Sequence, residues 1–251
     1  MRYIAVCSCG KDSLAMVLRL IEQKEPLDEV IFYDTGMEFG AIYRNWDRLC
    51  AICKEHNIKT VRLHPDIPFE EKAFEITVKN KDGSGTHKGY SWCGGRCRWG
   101  TTDKLSIMDK YCETEPSIVY VGIAADEPKR IEKERKPYKV MPLVTWGMTE
   151  DDCLAYCRER EWGWTEESPV TESGIVDLYD ILDRVSCWCC SNKNQKELRN
   201  IFIYLPQYWA KLKDFQSRTC RPMKKYRRKG QDYGNVFELE QVFKEELENG
   251  R

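Results

Sequence analysis

Four short apolar runs punctuate the first half of the chain: Tyr3-Ile4-Ala5-Val6, Val30-Ile31-Phe32-Tyr33, Thr60-Val61-Arg62-Leu63, and Ser117 to Gly122. Each has strand length, and each gives way to a polar turn. Between the first two, Leu14, Val17, Leu18 and Ile21 recur at i, i+3, i+4 and i+7, the stripe of an amphipathic helix. Between the second and third, the spacing predicts a helix from about Phe39 to His56 that turns Ile42, Trp46, Leu49 and Ile52 or Cys53 inward. Strands alternating with helices imply βαβ units, hence an α/β fold with a mostly parallel sheet. Right-handed crossovers then bring the loops after residues 6, 33 and 121 to one sheet edge, where open α/β sheets hold their ligands.

The pattern is weaker elsewhere. Residues 66–92 lack a clear period, and Lys79 to Gly85 reads as disordered or as a mobile lid. Thr149 begins a helix as its N-cap, with Glu150, Asp151 and Asp152 in the first turn and an end near Trp162-Gly163. Helices follow from about Gln195 to Tyr204 and Tyr208 to Phe215, broken at Pro206, and a last short helix starts near Phe237. The expected organisation is an α/β domain over 1–183 and a Cys-rich, helical and basic region over 184–251.

With 251 residues the chain is long enough for a full core, and its formal net charge of -1 gives no overall field for nucleic acid or membrane. No apolar run approaches the roughly 20 residues that span a bilayer, and Met1-Arg2 leads directly into a strand. A cytoplasmic protein with no membrane partner is the expectation. Thirteen cysteines in such a chain are too many for ordinary packing and do not belong to a small secreted disulfide framework. Clustered ones suggest metal or redox chemistry; Cys7, Cys112 and the Cys50/Cys53 pair read as small buried hydrophobes.

The chemistry concentrates in loops. Ser8-Cys9-Gly10-Lys11-Asp12-Ser13 joins the first strand to the first helix. Such a turn aims backbone N–H groups and the positive end of a helix dipole at one point, which suits a phosphate. Gly10 allows close approach, Ser8 and Ser13 offer hydroxyls, and Lys11 a charge; an ordinary polar turn is the alternative. It lacks the glycine spacing of the Walker loop. Asp34-Thr35-Gly36 closes the second strand, and Asp34 there suits a ribose hydroxyl, a metal ion or a helix-capping turn.

In this order the motifs resemble those of the PP-loop adenine-nucleotide family, within it the phosphoadenosine-phosphosulfate reductase branch. The family loop Ser-Gly-Gly-Lys-Asp-Ser stands here as Ser8 to Ser13, its Asp-Thr-Gly as Asp34-Thr35-Gly36, and its Gly-Ile-Arg-Ala-Asp-Glu as Gly122-Ile123-Ala124-Ala125-Asp126-Glu127 followed by Arg130. Its Pro-Leu-x-x-Trp is Pro142-Leu143-Val144-Thr145-Trp146. The matches cover roughly residues 1–195. The resemblance implies a Rossmann-like sheet of the HUP type with helices on both faces. It also implies that ATP or an adenylyl sulfate of the PAPS or APS type binds at Ser8, Cys9, Gly10, Lys11, Asp12, Ser13, Asp34, Thr35, Gly36, Gly122, Ile123, Asp126, Glu127 and Arg130, with Mg²⁺. Lys11 and Asp12 are then candidate catalytic residues. Cys9 departs from the loop glycine and Ala124 from the family arginine, and Cys220 in Thr-Cys-Arg does not match the reductases' Glu-Cys-Gly.

Iron–sulfur members of the branch pair two cysteines with a later Cys-x-x-Cys. Cys93 and Cys97 stand in the first position, spaced by three, and Cys187 and Cys190 in the second. Four thiolates suit a [4Fe–4S] cluster; structural Zn²⁺ and free thiols are the alternatives. Cys189 is a candidate catalytic thiol beside them, and Arg96, Arg98 and Lys193 would favour thiolate. Arg218 to Lys229 is strongly basic with Tyr226 inside it, which fits either a solvated tail or contact with tRNA or DNA. A homodimer is compatible with all of this. The leading expectation is an ATP-pyrophosphatase-type enzyme that takes part in sulfur transfer or thiolation. The alternatives are a sulfonucleotide reductase with a non-standard cysteine and a non-catalytic nucleotide-binding protein.

Overall fold

The structure, a computed structural model, describes all residues except 93–96, 134, 229, 230 and 251, and omits the side chains of 227, 228, 231 and 232. The chain forms two compact units, Met1–Pro65 with Asp103–Trp164, and Asp66–Thr102 with Thr165–Arg251. In chain order, the first unit opens with β1 (Arg2–Val6), α1 (Lys11–Glu22), β2 (Glu29–Tyr33), α2 (Gly40–Glu55) and β3 (Lys59–Leu63). The second unit then contributes α3 (Phe69–Phe74), β4 (Thr77–Lys79) and β5 (Thr86–Lys88), and a π-helical turn Arg98–Asp103 follows. The first unit resumes with α4 (Lys104–Cys112), β6 (Ser117–Val121), α5 (Pro128–Ile131), β7 (Lys139–Val140), α6 (Pro142–Thr145) and α7 (Glu150–Arg158). The second closes with β8 (Thr165–Glu167), β9 (Ile175–Asp177), α8 (Leu178–Ile181), α9 (Gln195–Tyr204), α10 (Pro206–Ser217), β10 (Tyr226–Arg228), β11 (Gln231–Tyr233) and α11 (Val236–Glu248).

The first unit is an α/β fold around a five-stranded sheet of order β3-β2-β1-β6-β7, parallel throughout. Strand alternation puts Ile4, Ile31, Tyr33 and Val119 on one face, where Met108 and Cys112 of α4 complete a buried cluster. Phe32 points the other way and meets Trp46 of α2, with ring centroids 5.1 Å apart. Helices thus cover both faces, and β2 is buried along its whole length. Helix α1 buries more than the predicted stripe: Ala15, Met16 and Leu20 are as inaccessible as Leu14 and Val17. The reason is that α1 packs against both α7 and α6.

From β1 the chain runs outward through β2 to β3, then returns to lay β6 on the opposite side of β1. The strand order reverses between β1 and β6, which is where parallel sheets of this type leave a crevice at their carboxyl ends. The two loops flanking that crevice touch. A Cβ on Gly122 would lie 2.7 Å from Cα and 3.0 Å from N of Ser13, so only glycine fits against the first turn of α1.

The second unit is held by aromatic packing. Phe215 stacks on Trp92 with centroids 3.8 Å apart and meets Phe74 at 4.6 Å, while Phe69 lies edge-on to Trp99 at 4.6 Å. Buried Gln216 accepts from Trp92 Nε1 at 3.0 Å and donates to the carbonyls of Thr219 and Arg221, each at 3.0 Å. In α11, Glu240 accepts from Trp209 Nε1, Lys213 and Lys244 at 2.8–2.9 Å. Burial opposes its charge, but these donors prevail and hold its carboxyl down at about 2.

Several segments differ from the sequence reading. Lys79 to Gly85 is ordered, as the end of β4 and the turn of a β4–β5 hairpin, fixed by Ser84 N and Oγ donating to Asp82 Oδ1 at 2.9 and 2.6 Å. Gly83 at φ 75° and Gly85 at φ 136° supply the backbone that this turn needs. Helix α7 stops at Arg158, short of Trp162, and α11 starts one residue before Phe237. Of the basic stretch, Tyr226–Arg228 is strand β10, paired antiparallel with β11, and Lys229 lies outside the described residues. No helix among the described residues is long and apolar enough to cross a membrane.

Two outcomes follow. Gly122→Ala forces backbone against backbone and will lower the urea stability of the chain by about 1–3 kcal/mol. Glu240→Gln removes an anion whose folded pKa lies below its unfolded one. The stabilisation it contributes, about 2–3 kcal/mol, is complete above pH 4.5 and fades as pH falls towards 2. Denaturation of wild type and variant will therefore separate at pH 7 and converge near pH 2–3.

Candidate functional site

The turn between β1 and α1 is built from its own small side chains. Ser13 Oγ donates to Gly10 O at 3.2 Å and accepts from Ser8 N at 3.1 Å, with Ser8 Oγ also 3.1 Å away. Gly10 is the N-cap residue of α1, and no side chain caps that end of the helix. Cys9 adopts φ 56°, the left-handed region that glycine enters freely, which accounts for the family glycine at this place. Its side chain is fully buried, with Sγ 3.9 Å from Cys7 Sγ, and its carbonyl accepts from Trp164 Nε1 at 2.7 Å. Burial, and then the Cys7 thiol, push the Cys9 thiol well above the ordinary cysteine range, so it stays neutral. Cys9 keeps the bend that glycine would give and adds packing.

Charge gathers at the start of α1. Lys11 is buried, and its Nζ lies 2.7 Å from Glu150 Oε2 and 3.1 Å from Asp12 Oδ1. Burial pulls the Lys11 ammonium down, but these two carboxylates outweigh it and the net direction is up. Asp12 is raised, by burial first and then by Glu150 and Glu127, against the pull of Lys11. In the loop after β6, Glu127 accepts from Ala124 N at 3.2 Å and from Arg130 at 2.7 Å. Asp126 Oδ1 accepts from Glu150 N at 3.0 Å, so this loop also fixes the start of α7. Ser8 to Ser13, Gly122 to Arg130 and the α7 N-terminus therefore form one connected constellation.

Asp34 anchors the loop after β2. Its Oδ1 accepts from Gly36 N and Tyr43 OH, both at 2.8 Å, and its Oδ2 from Arg62 at 3.1 and 2.7 Å. Burial would raise its pKa, yet the Gly36, Arg62 and Tyr43 donors hold Asp34 below the usual carboxylate range. Both oxygens are already engaged, which favours the turn-organising reading of Asp34 over a ligand-binding one. Thr35 Oγ1 donates to Glu38 at 2.9 Å, and Gly36 takes φ 77°.

The cysteines predicted as ligands lie in the second unit. Cys93 falls outside the described residues, as does Arg96. The segment's flanks are anchored by Trp92 and Trp99 in the aromatic core. Cys97 Sγ accepts from Gly100 N at 3.2 Å at the mouth of the π-helical turn. Cys187 and Cys190 form a tight turn in which Cys190 N donates to Cys187 O at 3.0 Å, while Cys189 is buried. An Asn194/Glu197 capping box at α9 fixes the loop's far end, and Asn194 reaches back to Asp183 at 2.7 Å. Lys193 is only 2% exposed and donates to Ser186 Oγ at 3.1 Å. Burial lowers its pKa, while Cys190, Glu197, Cys187 and Cys189 oppose that shift. Lys224 donates to Ser191 O beside the same loop. Among the described residues, no three His, Cys, Asp or Glu side chains are grouped to hold a metal.

Sequence reasoning placed the loops but not their partners. Glu150 was visible only as a first-turn acid of α7, and its pairing with Lys11 spans 139 residues. Trp164 on the Cys9 carbonyl and Arg62 on Asp34 carry no local signal. In the basic stretch, Arg218 pairs with Glu70 at 3.1 Å and stacks over Phe74, so it serves the fold.

Comparison with known proteins bears on the same loops. A family described as the phosphoadenosine phosphosulfate reductase domain matches residues 2–165. An uncharacterized protein of Methanocaldococcus jannaschii is 25% identical over 216 residues, which is 81% of this chain and 39% of that protein. The chain thus spans about two fifths of that relative's length. The structure of the U34-tRNA thiolase NcsA from Methanococcus maripaludis with its [4Fe–4S] cluster aligns over 99% of this chain and 73% of that one, at 15% identity and a TM-score of 0.44. At that score the likeness carries no argument. The family match is of another order: it runs through Ser8–Ser13, Asp34–Gly36, Gly122–Arg130 and Pro142–Trp146, and the chain belongs to the phosphoadenosine phosphosulfate reductase domain family.

Proposed function

We propose that the chain is a nucleotide-dependent enzyme of sulfur transfer, which takes ATP or a related adenylyl nucleotide at the carboxyl end of β1 and β6. The observation that carries this reading is the close seating of Gly122 on Ser13 at the reversal of strand order. It joins two loops of the family pattern into one crevice wall whose floor is the uncapped start of α1. There the first-turn amides act as fixed dipoles towards phosphate, and Lys11 adds positive charge. Mg²⁺ arriving with the nucleotide offsets Asp12, Glu127 and Glu150. An acceptor oxygen or nitrogen attacks the α-phosphorus, the bond to the β-phosphate oxygen breaks, and pyrophosphate leaves. The adenylylated acceptor then loses AMP to a sulfur nucleophile.

The thiols of the second unit supply the sulfur side of the proposal. Cys93, Cys97, Cys187 and Cys190 would hold a [4Fe–4S] cluster, which when bound supplies electron transfer or an iron site for sulfur. The buried Lys193 ammonium beside the Cys187–Cys190 turn supports this fit, since a buried cation is stable only near negative charge. Cys189 is 4% exposed, and that burial suits a packed or ligating thiol better than an attacking one.

Anaerobic purification should yield about four iron and four sulfide per chain, with a broad visible absorbance that disappears in Cys187→Ser/Cys190→Ser. The same protein should release pyrophosphate from ATP when an acceptor is present, and Lys11→Ala should slow that release by on the order of 100-fold. Sulfite release from an adenylyl sulfate, with no pyrophosphate from ATP, would instead make the chain a sulfonucleotide reductase. Zinc without sulfide would reduce the cysteine centre to a structural staple.

A further inference from the structure

Lys11 is the cation of the proposed phosphate-binding turn, yet its ammonium already holds two carboxylates. The contact with Asp12 joins adjacent residues of one helix turn. The contact with Glu150 is different, because it reaches from the start of α7 and is the shorter of the two, at 2.7 Å. Glu150 is not needed to cap its own helix. Thr149 and Asp152 form a complete capping box there, and Glu150 N is separately bonded to Asp126. Its side chain is 39% exposed while that of Lys11 is 8% exposed. One partner of the pair is fixed in the protein and the other can swing into water.

We infer that Glu150 determines which anions the site accepts, by occupying on Lys11 the position that a nucleotide phosphate takes. The inference rests on the proposed nucleotide site. A carboxylate at 2.7 Å presents one negative charge to the ammonium, as a phosphate oxygen would. A compact oxyanion such as sulfate has no further oxygens to reach the amides of the α1 turn once it stands in the place of Glu150 on Lys11, and it meets the carboxylates of Asp12 and Glu127 close by. A polyphosphate chain can displace Glu150 because its further oxygens reach the amides of the α1 turn in the same event. The substrate class selected is therefore a nucleoside di- or triphosphate, with its cation, over nucleoside monophosphates and simple oxyanions. Asp126 stays bonded to the Glu150 backbone throughout, so α7 need not move when the side chain leaves.

The test is calorimetric titration of ATP, AMP and inorganic sulfate, with and without Mg²⁺, into the full chain as wild type, Glu150→Gln and Glu150→Ala. Wild type should bind Mg–ATP and bind AMP and sulfate weakly or not at all. Both variants should bind metal-free ATP about tenfold or more tightly than wild type, and should gain measurable affinity for AMP. Unchanged or weaker affinity in variants that still fold, as judged by circular dichroism, would make the Lys11–Glu150 pair a structural clamp and overturn the inference alone. If neither wild type nor variants bind any nucleotide, the proposed site itself fails and this inference with it. Should Glu150→Gln not fold, Glu150→Ala decides the matter by the same comparison, and failure of both to fold would itself establish the clamp.

Discussion

The close seating of Gly122 against the backbone of Ser13 is the constraint on which the first unit's chemistry depends. It can exist only because β6 lies directly beside β1, in register from Arg2 opposite Ser117 to Val6 opposite Val121. That pairing brings a loop from the middle of the chain onto a turn at its beginning. Any side chain at position 122 would push the two apart, and the bonds that follow would loosen in turn. Those bonds run from Glu127 to Ala124 and Arg130, and from Asp126 to the start of α7. Glu150 is carried by that helix start, and through it Lys11 is held. A single steric fact thus propagates into the placement of every charge at the crevice.

The charges themselves form a balanced set rather than a simple cationic pocket. Lys11 is outnumbered locally by Asp12, Glu150 and Glu127, and the raised pKa of Asp12 reflects that crowding as well as burial. A site of this kind repels a bare polyanion and welcomes one whose charge is offset by a cation. The second unit shows the opposite arrangement. Lys193 and Lys224 flank a loop of three cysteines, and both ammonium groups are drawn down by burial. Cations placed at such cost beside thiols are understandable where the thiols carry negative charge. The two units therefore carry opposite electrostatic designs, each matched to the group proposed for it.

Much of this was legible in the sequence where the cause is local. The strand runs at Tyr3, Val30, Thr60 and Ser117 all lie in the parallel sheet; the inner strand β2 is buried along its whole length and reads as a continuous apolar stretch, while the edge strand β3 is partly exposed and carries Arg62. Thr149 as N-cap and Pro206 at the helix break are single-residue rules, and both hold. What escaped depends on partners far apart in the chain. The hairpin over Thr77–Lys88 did not show in the sequence because its turn is polar and its strands are only three residues long. Burial of Lys11 could not be read from a polar turn, because the carboxylate that makes it tolerable is Glu150. Cys9 looked like a defect in the family loop; its φ of 56° explains the usual glycine, and its burial beside Cys7 explains why a small thiol is accepted. Passage of the chain in and out of the second unit at 65/66, 102/103 and 164/165 leaves no mark in composition.

Hydrogen–deuterium exchange with and without Mg–ATP tests the central claim most directly, because it reads the backbone amides themselves. If the crevice between β1 and β6 takes the nucleotide, peptides covering residues 7–14 and 122–127 will gain protection together. The hairpin over 77–88 will be unchanged. Protection confined to other segments, or none at saturating nucleotide, would contradict the account.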